Sequence, residues 1–381
     1  MKLGDICKFQ SGGTPSKNVS SYFDGDIPWI TTVALNGGHI DASNAIDWIT
    51  EKAISESAAK IVPKNSIMVG TRVGVGKVGI NKVSMSTSQD IISLLDIDES
   101  KWYKPYLCKF LQSKSKYLNS QARGATIKGI KIDVLASIEV SELSIVEQKK
   151  VSLVFDTLEK LIIFRKQQLS KLDELVKARF VELFGDTTLN PFGWEKDLLG
   201  TVCDVRDGTH DSPHYYEAGY PLVTSKNVTG GKIDLTDCSL ICEADFKKIN
   251  ERSKVDMGDI IMPMIGTVGK PVIVDIEPNF AIKNVSLIKF KADSRVLNTY
   301  IRALLQSDYF DDAVLSKVRG GTQKFISLGD IRKLEVLVPP RERQEQFVAF
   351  VEQTDKSKFE IQKSIEKLET LKKSLMQKYF G

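Results

Sequence analysis

Glycine-rich loops, histidine pairs and cysteine pairs are the residues here whose spacing could support chemistry. The stretch Gly70–Gly79 reads GTRVGVGKVG and contains Gly74-x-Gly76-x-x-Gly79, with Lys77 inside it. A dinucleotide-binding loop uses that glycine spacing when a strand precedes it and a helix follows. The helix is essential, because its free N–H groups and dipole hold the phosphate. Ser66–Val69 reads as a strand, but so does Val78–Ile80 on the far side. The loop is therefore expected to be a hairpin turn with a lysine at its tip. A related stretch, Met264–Pro271, keeps Gly266, Gly269 and Lys270, loses the spacing and also runs on into Val272–Val274.

Other chemical signals fail on inspection. His210-x-x-x-His214 could hold a metal on a helix, but Pro213 interrupts it, and the stretch reads as a polar turn. Cys238-x-x-x-Cys242 has no partner pair, and the odd count of five scattered cysteines predicts reduced thiols in a cytoplasmic setting. Asn190-Pro-Phe-Gly is similar to part of an adenine-methyltransferase motif, yet lacks its second proline. With three histidines in all, no Ser/His/Asp set recurs. No apolar run approaches the roughly 20 residues of a membrane span, and Met1–Asp5 lacks a secretory h-region. A net charge of +4 permits a nucleic-acid partner without arguing for one.

The elements that position these loops come in two copies. Val181–Gly185 reads VELFG and the chain ends KYFG, an offset of 196 residues. At the same offset Arg123, Gly124, Thr126, Lys128 and Ile130 meet Arg319, Gly320, Thr322, Lys324 and Ile326, and Gln148 meets Gln344. In the middle the offset falls to 193, where Pro28, Thr31, Gly37 and Gly38 meet Pro221, Thr224, Gly230 and Gly231. That ordered series is an internal duplication.

Each copy begins with a β-rich body, residues 1–140 and 186–338, holding one short helix, Pro105–Leu118 or Asn298–Phe310. Each then changes to a long helical pattern, 141–185 and 339–381. Val151, Val154, Leu158, Leu161, Leu169, Leu172, Leu175 and Val176 recur at three- and four-residue steps. Phe347, Val351, Thr354, Ile361, Ile365, Leu368, Leu371 and Leu375 repeat the pattern. A helix of about 40 residues is roughly 60 Å long and cannot bury such a stripe alone. Pairing within the chain about a pseudo-twofold axis makes the helices antiparallel, with a globular body at each end of a rod. The expected fold is α+β: two β-rich domains with short helices, joined by two long antiparallel coiled-coil helices.

Four polar loops recur in both copies. The first carries Thr14 and Lys17 against Thr209 and His210, and the second Thr31 against Thr224 and Lys226. The third carries Arg72 and Lys77 against Thr267 and Lys270. The fourth carries Arg123, Thr126 and Lys128 against Arg319, Thr322, Gln323 and Lys324. Glycines let backbone N–H groups approach phosphate, lysine and arginine supply salt-dependent attraction, and Thr, His, Gln and Arg can read base edges. Any one loop by itself reads better as a solvated turn. Four parallel loops in two bodies point to double-stranded DNA. A structural hub for protein partners, without DNA, is the alternative reading.

The ordered motifs SGGTP, IPWIT, VGTRVGVGKVG, RGATIK, RGGTQKFI and LVPPRERQEQ resemble those of type I restriction–modification specificity subunits over nearly the whole length. Copy one departs in SELSIVEQ (Ser141–Gln148), which lacks the proline of the family's helix entry. The resemblance implies two target recognition domains, each reading half of a bipartite asymmetric site, with the helices as a ruler for the unread spacer. It implies two modification subunits that methylate adenine from S-adenosylmethionine, and two restriction subunits that use ATP and Mg. It implies no catalytic residue, metal or cofactor on this chain.

Overall fold

The structure, a computed structural model, describes residues 1–124, 128–265, 270–310, 312–313 and 325–381. Two compact units emerge: Met1–Arg165 with Ser364–Gly381, and Lys166–Lys363. The division cuts both long helices, Ile145–Phe184 and Arg341–Phe380, so each unit holds one β-rich body and a segment of each helix.

In the first unit a five-stranded sheet runs in the order Lys8–Ser11, Ile91–Leu95, Ile67–Gly70, Val78–Asn81 and His39–Ile40. A four-stranded sheet runs Asp47–Ile49, Phe23–Ile30, Met85–Thr87 and Ile61–Val62. The central strand Ile67–Gly70 is buried on both faces, hence its unbroken apolar run. Alternation divides it: Ile67 and Val69 join a core with Tyr106, Leu107 and Phe110, while Met68 joins Ile30, Val62 and Met85 of the other sheet. The second unit repeats the division. Ile260 and Met262 pack with Tyr300, Ile301 and Leu304, and Ile261 packs with Val223, Val272 and Phe280.

The short helix expected over Pro105–Leu118 is broken into Lys104–Ser113 and Ser115–Gln121. Its counterpart divides into Asn298–Leu304 and Asp308–Phe310. A similar bond lies at each break: the Ser113 hydroxyl donates to Phe110 O and the Ser307 hydroxyl to Leu304 O, each at 2.6 Å. Such local bonds compete with the helical ladder.

The long helices are antiparallel within each unit. In the first, Phe155 stacks on Phe380 at 5.5 Å between ring centres and Glu159 pairs with Lys372 at 2.8 Å. In the second, Asp173 pairs with Lys358 at 2.6 Å and Phe180 meets Phe347 at 5.6 Å. The buried seam of the first helix passes through Val151, Phe155, Leu158 and Ile162. The expected seam residues Val154, Leu161 and Leu175 are exposed instead. The helix carries two apolar stripes, and periodicity merged them into one. Without the proline, Ser144 starts this helix through a capping box, its backbone N–H donating to the Glu147 carboxylate at 3.0 Å while the Glu147 N–H donates to the Ser144 hydroxyl at 3.3 Å.

A buried glutamine seats each body on its helix. The Gln148 side-chain oxygen accepts from Tyr103 N at 2.8 Å, and its amide donates to Lys101 O and Leu143 O, both at 2.9 Å. Gln344 repeats this with Leu297 N, Arg295 O and Pro339 O. All six partners are main-chain atoms, and both glutamines are fully buried.

Candidate nucleic-acid interface

In the first unit the glycine loop is the expected hairpin. Ile67–Gly70 and Val78–Asn81 pair antiparallel, and Gly70 N donates to Lys77 O at 2.8 Å. Gly74 and Gly76 have φ of +72° and +76°, values that glycine adopts freely. A Cβ on Gly76 would lie 2.8 Å from Ser115 Oγ, and Asn119 holds the turn by donating to Val75 O at 2.8 Å. The glycines therefore serve the turn and its packing against Ser115–Gln121, leaving Arg72 and Lys77 exposed.

Backbone bonds gather the other loops around this turn. Arg123 and Gly129 bond each other in both directions, and Ile130 N donates to Thr71 O at 2.8 Å, tying the fourth loop to the third. Thr71 N donates to Asp90 O at 2.8 Å, while Gly12 N and Gly13 N donate to Ile91 O and Thr87 O, so the first loop shares the same support. Trp29 of the strand before the second loop donates from its indole to Gly13 O at 3.1 Å. Gly70 abuts the second loop, where an added Cβ would lie 3.4 Å from the Thr32 methyl. Thr14, Lys17, Arg123 and Lys128 are exposed on these loops, and Thr31 is half-buried.

The second unit repeats the plan. Thr209 N donates to Ile282 O and Ile326 N to Met264 O, the counterparts of the Gly13 and Ile130 bonds, and Lys283 N donates to Val223 O as Ser88 N donates to Ile30 O in the first unit. Lys226 and Lys270 are exposed. Two of the expected contact residues are engaged in turns: Thr224 donates to Asn227 Oδ1 at 3.0 Å, and the Thr209 hydroxyl accepts from Asp211 N at 3.1 Å. Thr126, Thr267, Arg319, Thr322, Gln323 and Lys324 lie outside the described residues.

His210 is bonded through both ring nitrogens, Nδ1 to Asn284 Oδ1 at 3.0 Å and Nε2 to Asp207 Oδ2 at 2.8 Å. The Asn284 oxygen first, then the Asp207 carboxylate, raise its pKa above the ordinary imidazole value. Asp207 is buried and also takes the Arg252 guanidinium. Nothing in the residue spacing points to this triad. Asp207 stands where the first copy has Ser11, and Arg252 lies on Glu243–Ser253, which is longer than its counterpart Glu51–Glu56. Among the described residues no cluster of His, Cys, Asp or Glu could hold a metal, and no helix is long and apolar enough to cross a membrane.

Two bodies on one plan, with polar loops held by matching backbone bonds wherever both are described, define a duplicated recognition protein. Residues 1–174 and 191–373 match the type I restriction modification DNA specificity domain. The MjaIX specificity subunit of Methanocaldococcus jannaschii is 28% identical, over 99% of this chain and 91% of its own. The EcoKI specificity subunit of Escherichia coli is 22% identical over 94% and 82%. A solved structure described for complex assembly and conformational transition of a type I system shares the fold, with TM-score 0.65, 18% identity, and 100% and 96% covered. This chain belongs to the type I restriction–modification DNA specificity family. Its function is to recognise DNA sequence, and it is a non-catalytic component of its system.

Proposed function

We propose that this chain reads a bipartite, asymmetric double-stranded DNA site, one half through each unit, and so directs partner subunits to it. The carrying observation is that the two loop sets share backbone ties but differ in side chains, as with Ser11 against Asp207 and Thr14 against His210. Shared ties supply the same presentation, and different side chains read different bases through the major groove. Lys17, Arg72, Lys77, Arg123, Lys128, Lys226 and Lys270 are exposed on those loops, where they would meet phosphate. Thr126, Thr267, Arg319, Thr322, Gln323 and Lys324 complete the proposed contact set by their place in the repeat.

The partners are two modification subunits, which methylate adenine using S-adenosylmethionine, and two restriction subunits, which cleave using ATP and Mg. The exposed stripe of the first helix, with Val154, Leu161 and Phe164, offers a protein-binding face that supports this. The paired helices set the unread spacer. Modified-base sequencing of the host genome, with and without the gene, tests the reading. Loss of adenine methylation at one bipartite motif is expected. An unchanged methylome in a strain whose modification subunit is active would refute it. Insertion of residues near Lys160 or Lys356 is expected to alter the spacer and leave both half-sites unchanged.

A further inference from the structure

A cleft of about 350 Å³ opens in the second unit beside the first loop, and His210, Asp211, Asp245, Lys248 and Arg252 line it. Beneath it lies Asp207, whose side chain is 8% exposed while those of His210 and Arg252 are 61% and 66% exposed. One buried carboxylate thus holds an exposed imidazole and an exposed guanidinium, one through each oxygen. The surroundings fix the Arg252 end of the helix. Arg206, itself paired with Asp204 at 2.6 Å, donates to Arg252 O at 2.9 Å, and Phe246 stacks on Tyr220 at 4.1 Å.

Stability accounts for part of this arrangement, since the buried Asp207 carboxylate needs partners, but not for the exposure of both partners. Ion pairs so exposed contribute little, because water competes and long side chains lose entropy. Pre-organisation accounts for it better. A guanidinium has five N–H donors, so one held by Asp207 leaves a planar fork for a ligand. The cleft also argues against phosphate, since Asp211 and Asp245 line it beside the cations. A base-pair edge suits mixed charge: guanine offers the O6 and N7 acceptors that arginine matches, and cytosine offers an N4 donor to a carboxylate.

We infer that this cleft reads a G·C pair in the half-site of the second unit, with Arg252 donating to guanine O6 and N7 and Asp207 as its positioning residue. The inference rests on the DNA-reading function proposed above. In the first unit Ser11 replaces Asp207 and Thr14 replaces His210, so its half-site is read there by other means.

The test uses the complex of the full chain with its modification subunits and a DNA library randomised across both half-sites. Arg252→Ala is expected to lose about 5- to 150-fold of preference at one G·C position of one half-site. Asp207→Asn, which retains Arg252, is expected to weaken preference at that same position by a smaller factor. Preference elsewhere is expected to be unchanged in both. A uniform loss of affinity with preference intact would make Arg252 a phosphate contact and overturn the inference alone. Unchanged affinity and preference would do the same. A wild-type complex that selects no sequence would overturn both the inference and the function it rests on.

Discussion

The last helical turn of the chain should stabilise the domain at the beginning of the chain, and Phe380→Ala tests this. Phe380 is 4% exposed, with ring centres 5.4 Å from Tyr106, 5.5 Å from Phe155 and 6.1 Å from Phe110. Lys114 also donates to its carbonyl. Removing a buried phenylalanine ring costs about 3–5 kcal/mol, from lost transfer energy and the cavity left behind. That is a large share of the roughly 5–15 kcal/mol that holds a domain together. A single melting temperature is ambiguous for a two-unit chain, so native-state hydrogen exchange is the proper assay. Protected amides of Ile67–Gly70 and Lys104–Ser113 that open through unfolding of the unit should exchange about 100-fold faster or more. Amides of Ile260–Pro263 should be unaffected. Phe359→Ala, at a ring 65% exposed, should change neither set. Retained protection in the first unit, with loss in the second, would refute the assignment of Ser364–Gly381 to the first core.

Other perturbations have equally definite outcomes. Gly76→Ala should destabilise the first unit by more than about 1 kcal/mol, because its φ is positive and Ser115 blocks the Cβ; Gly230→Ala, with similar φ and open space, should cost less by chemical denaturation. Gln344→Leu should weaken the second unit by about 1–3 kcal/mol or more, since the Leu297 N–H and two carbonyls lose their partner, and denaturant titration measures it. The Asn284 oxygen and Asp207 raise the His210 pKa above 6.5, against burial and the Arg252 charge. The stabilisation is therefore full below 6.5 and fades as pH rises through the folded value. NMR titration of the imidazole should report that raised value, and His210→Gln should remove this component of the pH dependence of unit-two stability. Replacing Lys77 with alanine should lower the salt slope of DNA binding by about one, and an unchanged slope would remove it from the phosphate contacts.

Regular repetition made much of this fold legible. The duplicated motifs located both bodies, and strand signals on either side of Gly70–Gly79 identified the hairpin. Helical periodicity located the long helices but not which stripe is buried, because apolar residues lie on both. The breaks in the short helices escaped because the apolar spacing runs through them, and no proline or glycine marks the interruption. At the loops, the basic residues were legible by type, whereas the Asp207–Arg252 pair joins positions 45 residues apart with no periodic pattern between them. His210 was legible as polar, but its commitment through both nitrogens depends on Asn284, a distant residue with φ of +55°.

The glutamine seats have a consequence for descent. Gln148 and Gln344 grip peptide groups, so what they recognise is a backbone path and not a set of side chains. A lineage can therefore rewrite the residues of a recognition body without rewriting its attachment. Two sequences that share little but the path of that chain segment can occupy the same seat, and recombination between relatives can deliver a new body in one event. Selection for new DNA targets then acts on loops whose drift leaves the seat intact.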